Sequence, residues 1–274
     1  MMKNLGLLRD VTLLQLNSSR TNWQVWWREP DMGVSGESEG CAAARMWRNA
    51  CAALLAPGAE DAWQQIVDAS PPDAVWHSLR NCVAYQAGVW QNLLAKGMID
   101  VMQPAAFKLA IVLRHTPAEL TARLLADLLH DHPQSQELTA YVLALLTDDE
   151  ARCGCARSAA RGRHGRGEGD GEGERRSPGA LALRELQLFG DCELAVLAAS
   201  REEYDAHAKL VRAEYCKLAH SSYVELRIKV LNQFSQIPKL FHTHEFECFE
   251  AAARENIERE ICTLREHLLT GRTD

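Results

Sequence analysis

The sequence predicts an all-α protein, and three observations carry that expectation. Apolar residues recur at helical spacing in Trp63, Ile66 and Val67, in Leu120, Leu124, Leu125, Leu128 and Leu129, and in Tyr141, Val142, Leu145 and Leu146. That period lines side chains along one face of a helix. Ala, Leu, Glu, Arg and Gln fill the positions between, and these residues favour helices. The alternating β-branched runs that strands need are missing.

Taken in order, residues 1–16 hold Lys3 and Arg9 among short apolar runs broken by charge, which fits neither a signal-peptide core nor a spanning helix. Trp23, Trp26 and Trp27 form a helical stripe of the kind that packs helices together. Residues 33–40 read as a loop, and residues 1–58 as helical material packing on the core. The main domain is expected over 59–274. Proline punctuates it at Pro71-Pro72-Asp73, Pro104, Thr116-Pro117, His132-Pro133 and Ile237-Pro238. Thr116-Pro117-Ala118-Glu119 reads as an N-cap, a first-turn proline and a first-turn acid, predicting a helix over 117–130.

Residues 151–180 interrupt this order. Eight of these thirty residues are Gly and none is a large apolar side chain, so burial cannot offset the entropy of ordering them. A disordered Gly/Arg/Glu-rich surface insertion is expected there, with the helical blocks on either side packing together.

Composition limits the partners. With 47% hydrophobic residues in 274 the chain can bury a sizeable core, and a formal net charge of -7 argues against a general nucleic-acid or anionic-membrane binder. Nine scattered Cys without a secretory signal point to reduced thiols and a cytoplasmic setting. Phosphate-binding glycine loops, nucleophile elbows and Rossmann fingerprints are absent from the sequence.

Five stretches carry a family likeness. They are Phe189-Gly190-Asp191-Cys192-Glu193-Leu194, Tyr204-Asp205-Ala206-His207, Val211-Arg212-Ala213-Glu214-Tyr215, Phe241-His242-Thr243-His244-Glu245-Phe246 and residues 250–261. Together they resemble the C-terminal half of a family of predicted metal-dependent HD-superfamily phosphohydrolases. The likeness covers about residues 60 to 268 and is specific from Phe189 onward. It implies an irregular HD-domain-like helical bundle. It also implies a divalent metal (Mn, Fe, Mg or Zn) held by a first His, a consecutive His-Asp pair and a distant Asp. A metal with an open position lowers the pKa of bound water so that it can attack phosphorus.

The resemblance implies ligands one by one. Trp76-His77-Ser78-Leu79-Arg80-Asn81 is similar to the family's Tyr-His-x-x-x-His element, with His77 as the first ligand and Asn81 in place of the second His. The apolar run Phe107-Lys108-Leu109-Ala110-Ile111-Val112-Leu113 matches the helix that ends in the family's His-Asp, but here it ends in Arg114-His115. A guanidinium cannot ligate a cation, which leaves His115 as a possible ligand and Arg114 as a possible phosphate contact. Thr116-Pro117-Ala118-Glu119 replaces the acidic loop that follows. A second placement uses His130-Asp131 at the end of an apolar helix; the other reading of that pair is a solvated helix terminus. Asp191 and Glu193 match the family's two acids as candidate catalytic residues, Asp191 also as metal ligand or as N-cap of a helix over 193–199. Arg212 matches a phosphate contact or an ion-pair partner. Arg227, Arg254 and Asn256 fall on helices that pack. Zinc at Cys153, Cys155 and His164, or a metal at His242, His244 and Glu245, is less favoured.

Two functions follow from the resemblance. One is a non-catalytic binding or interaction module, in which Arg114 pairs with Asp191 and supplies the charge a metal once gave. The other is an active metal-dependent phosphohydrolase on a nucleotide or small phosphate ester. The expected partner is a small phosphorylated substrate or another protein, with a homodimer possible.

Overall fold

The computed structural model describes residues 41–147 and 183–270. The tryptophan stripe at 23–27, the loop at 33–40, the insertion at 151–180 and the cysteine pair at 153 and 155 lie outside those residues. Within them the protein is all-helical, with ten α-helices and no strand.

The first four helices build the centre. Helix α1 (Ala42–Ala53) buries Ala43, Met46, Trp47, Ala50 and Cys51, a stripe at helical spacing. Helix α2 (Ala59–Asp68) is tied to it by the Trp47 indole, which donates to the Ala59 carbonyl at 2.8 Å. A single wide turn at Leu79–Val83 runs into α3 (Ala84–Ala95). Helix α4 (Pro104–Leu113) starts on a proline, whose missing N–H costs nothing in the first turn. Apart from Lys108 its side chains are apolar, and Ala106, Phe107 and every residue from 109 to 113 are wholly buried. A helix of that composition has to be the centre of the bundle.

Helices α1, α3, α5 (Ala118–Leu129) and α6 (Ser135–Thr147) enclose this centre, with α1 and α6 packing on α4 and α5 on α6. Ring contacts lock it from within: Phe107 stacks on Trp90 at 4.8 Å and meets the edge of Phe189 at 5.5 Å. Phe189 belongs to α7 (Leu183–Leu194), so the two blocks flanking 148–182 share one core. Helix α5 begins one residue later than expected. Pro117 holds an extended ψ of 140° and its carbonyl takes the Thr121 N–H at 2.8 Å, so Pro117 and not Thr116 sits at the helix entry.

Helix α7 stops at Leu194, which corrects the expected helix over 193–199. Residues 195–199 form a buried non-helical strip whose carbonyls are met by side chains. Asn256 donates to Leu197 and Ala199 at 3.2 and 2.9 Å, and the Tyr85 hydroxyl donates to Ala195 at 3.3 Å. Buried carbonyls without helix partners need such donors.

Helix α8 (Arg201–Glu214) follows a capping box, in which Ser200 Oγ takes the Glu203 N–H and Glu203 returns to the Ser200 N–H. Helices α9 (His220–Gln236) and α10 (Glu250–Thr270) run antiparallel, since Arg254 meets Phe234, Arg227 meets Glu260, and His220 meets His267. A short 3₁₀ turn, His244–Phe249, joins them. Between them lies a sealed ion pair. Arg227 donates to both Glu260 oxygens at 2.7 and 2.8 Å, and the Tyr204 hydroxyl adds a third bond at 2.6 Å.

Helices α1 and α3 end in the same way with different residues. After α3, Gly97 adopts φ 65°, its N–H bonds to Leu94 and the Met98 N–H reaches back to Leu93. After α1, Leu55 takes φ 52°, its N–H bonds to Ala52 and the Ala56 N–H reaches Cys51. This two-bond ending favours glycine because a Cβ crowds the following carbonyl. Leu55 is 89% exposed, so its side chain recovers little by packing. Leu55→Gly is therefore expected to raise stability by about 0.5–1 kcal/mol, and Gly97→Ala to lower it by about 1 kcal/mol, both read from urea melts. Arg227→Met alone should cost about 3–5 kcal/mol by stranding Glu260, and Arg227→Met with Glu260→Leu should recover much of it in the same measurement.

Candidate functional site

His77 lies in the turn-rich stretch between α2 and α3, and α8 holds that stretch in place. One oxygen of Glu214, at the end of α8, accepts the backbone N–H groups of Val75, Trp76 and His77 at 3.0, 2.8 and 3.0 Å. Its other oxygen accepts from His77 Nδ1. A carboxylate among four donors stays ionised. Burial alone would raise the Glu214 carboxyl, but the bonds from the His77 ring and the backbone outweigh it and hold the group below the usual carboxylate range.

The other ring nitrogen of His77, Nε2, is sealed from solvent and has no hydrogen-bond partner. His115, directly after Arg114 at the end of α4, brings its ring to 5.7 Å from that of His77, and its Nε2 is likewise sealed and unpartnered. Both rings line a narrow cavity with Ile66, Ser70, Pro71, Leu79, Val112 and Thr116. Burial, then the neighbouring His77 and Arg114, push His115 well below the ordinary imidazole range and keep it neutral.

Arg114 turns the other way. Its Nε donates to Glu193 on α7, and both side chains are nearly buried, at 11% and 4% exposure. The expected partner was Asp191, and Glu193 takes its place. Asp191 and Glu193 are two residues apart on a helix, so they leave it in different directions.

Asp191 faces the loop before the 3₁₀ turn. Its carboxylate accepts the His242 N–H at 3.0 and 3.1 Å, the Thr243 N–H at 2.7 Å and the Thr243 hydroxyl at 2.5 Å. It lies inside α7 and caps no helix, which corrects the N-cap reading. Burial raises its pKa to about 6 against the pull of these donors. The residue acts as a clamp on 242–243.

His130 and Asp131 stand at the exposed end of α5, 2.7 Å apart with side chains 57% and 81% exposed. His130 Nδ1 also lies 2.9 Å from the Asp127 carbonyl. That arrangement is a solvated helix terminus. Arg212 donates to the Tyr215 and Leu218 carbonyls at 2.8 and 3.3 Å and lies over the Tyr223 ring at 4.7 Å, closing the end of α8. In the 242–245 stretch, Glu245 is buried against Arg184 while His244 is exposed beside it.

The structure thus brings together His77 and His115, and separately Arg114 and Glu193. Asp191, His130, Asp131 and Arg212 each have local tasks. Among the described residues no three His, Cys, Asp or Glu side chains gather as a metal site. The ligand set for a hard divalent ion, rich in carboxylate oxygen, does not fit these positions.

Two residues escaped the sequence reading. Glu214 was visible within the Arg-x-Glu-Tyr likeness, but nothing in the sequence told that it would grip a segment 137 residues away. His207, on α8, is 1% exposed with neither ring nitrogen bonded, and lies edge-on to Trp76 at 4.0 Å. Burial, with Arg227 and His77 adding repulsion, drives its pKa well down.

No family model, no curated protein and no solved structure matches the chain.

A neutral buried imidazole has a folded pKa below its unfolded value, so the folded state binds fewer protons. Its stabilising contribution is complete above the ordinary histidine pKa of 6.5 and fades as pH falls from there toward the depressed value. Asp191, raised to about 6 from 3.8, works in the opposite sense between those values. A comparison with His207→Phe isolates the histidine. Urea melts from pH 7.5 down to 5.5 should show wild type losing stability faster than His207→Phe, by a slope of up to about 1.4 kcal/mol per pH unit.

Proposed function

We propose that this chain is a non-catalytic binding or interaction module on a helical scaffold like that of the HD-superfamily phosphohydrolases. One observation carries the reading. At the position where the resemblance expects the His of the His-Asp pair stands Arg114, with its fixed positive charge committed to Glu193.

The other expected ligands support it. Asp191 spends its oxygens on four contacts from 242–243, and His130-Asp131 is solvated at a helix end. A phosphohydrolase needs an open coordination position on a metal set among several ligands. The partner in this reading is a protein or a small phosphorylated compound, met in the cytoplasm, with self-association as one form of it.

The test uses the full-length protein with chromogenic phosphomonoester and phosphodiester substrates, with and without Mn, Fe or Mg ions. The expected result is no turnover above buffer under any condition. Metal-stimulated turnover that disappears in Asp191→Asn would overturn the proposal and restore the phosphohydrolase reading. Arg114→His with His115→Asp should, on the same reading, gain manganese binding that wild type lacks, measured by metal analysis after dialysis.

A further inference from the structure

We infer that one face of α8 is an acid-released latch on residues 75–77, with Glu214 as its catch and His207 as its trigger. The latch works in the same way whether or not the chain turns over phosphate.

His207, Val211 and Glu214 fall at i, i+4 and i+7 on α8, so they share one side of the helix. Both polar members of that row meet the same segment. Glu214 accepts the N–H groups of Val75, Trp76 and His77, and two turns earlier the His207 ring stands edge-on to the Trp76 ring at 4.0 Å. Residues 75–77 belong to no helix, so a single carboxylate holds their three N–H groups.

The space between Trp76 and α8 is short of partners. Both His207 nitrogens and Trp76 Nε1 are sealed from solvent without a hydrogen bond. An imidazole is tolerated there only while neutral, because a proton would make it an unsolvated charge. Burial, and after it the charges of Arg227 and His77, oppose that proton. The groups around the ring offer no relief. On α8, Tyr204 lies 6.4 Å away and gives its hydroxyl to Glu260 of α10, which Arg227 of α9 already holds by two bonds. Arg259 of α10 lies over the Tyr204 ring and pairs with Asp205. Tyr85 of α3 stands beside Trp76 and donates to the Ala195 carbonyl, and Glu214 is bonded to His77.

The segment held by one carboxylate therefore yields before the α9 and α10 pair, which is fastened by a bidentate buried ion pair. When Trp76 moves off, His207 reaches water and takes its proton. His77 moves with the segment, and because it lines the narrow cavity at the end of α4, that cavity opens to solvent. The opened form has an ordinary imidazole and the closed form a depressed one, so opening grows as pH falls below 6.5. Glu214 stays ionised through this range, since its carboxyl lies below the usual value. Asp191 titrates there at about 6, but it holds 242–243.

Hydrogen exchange of the Val75, Trp76 and His77 amides, followed by NMR on the full chain at pH 7.5 and 5.5 and corrected for intrinsic rates, tests the latch. Opening is expected to be about tenfold more frequent at pH 5.5, because each unit below 6.5 multiplies a proton-linked equilibrium by about ten. Low urea should leave these three rates unchanged, the mark of a local opening, while amides of α4, which open only with the whole fold, should speed up in it. His207→Phe should flatten the acid response at 75–77. If circular dichroism shows that variant misfolded, His207→Tyr, which keeps a ring against Trp76, takes its place. Glu214→Gln should speed exchange of the three amides at both pH values. The inference is overturned if these amides exchange no faster at pH 5.5, if they follow urea as the α4 amides do, if the acid response survives replacement of His207, or if Glu214→Gln exchanges like wild type.

Discussion

The whole arrangement depends on the burial of α4. A ten-residue helix whose side chains are apolar apart from Lys108 is stable only when sealed by neighbours, and α1 and α6 seal it. Sealing the helix also drags its polar end inside. Arg114 and His115 come directly after Leu113, so the chain has to place a guanidinium and an imidazole where water is scarce. Glu193 answers the first. For the second, the imidazole gives up its charge.

The same constraint explains the other buried groups. Glu260 is matched by Arg227 and Tyr204, Asp191 by backbone and hydroxyl donors, Glu214 by three N–H groups and a ring, and Glu185 by Tyr141 and the Met102 N–H. A buried charge without such partners would cost several kcal/mol, roughly the margin that keeps a domain folded. The polar residues that look catalytic in sequence are therefore the ones that hold loops and helix ends together. His77, His115 and His207 stand apart, because each keeps at least one buried ring nitrogen without a hydrogen-bond partner.

Much of the helical order was legible. The helix over 118–129, the apolar run ending at Leu113 and the turn at Ile237-Pro238 follow from local pattern, since periodicity and proline act over a few residues. The strip at 195–199 was not legible. It is as apolar as a buried helix, and only the donors waiting on α10 and α3 decide that it turns out of the helix. Leu55 likewise carries no sign of the left-handed turn it occupies, because glycine is the residue that announces one.

The sequence by itself determined that the chain is helical, that an arginine and a histidine follow the apolar run ending at Leu113, and that a core of this size can form. These are properties of residue type and short-range spacing. Tertiary structure alone decided that Arg114 meets Glu193 and not Asp191, that Glu214 grips the 75–77 segment, and that His77 and His115 face one cavity. Each of those pairs residues far apart in the chain, and which donor reaches which acceptor is settled only when packed helices set the directions of their side chains.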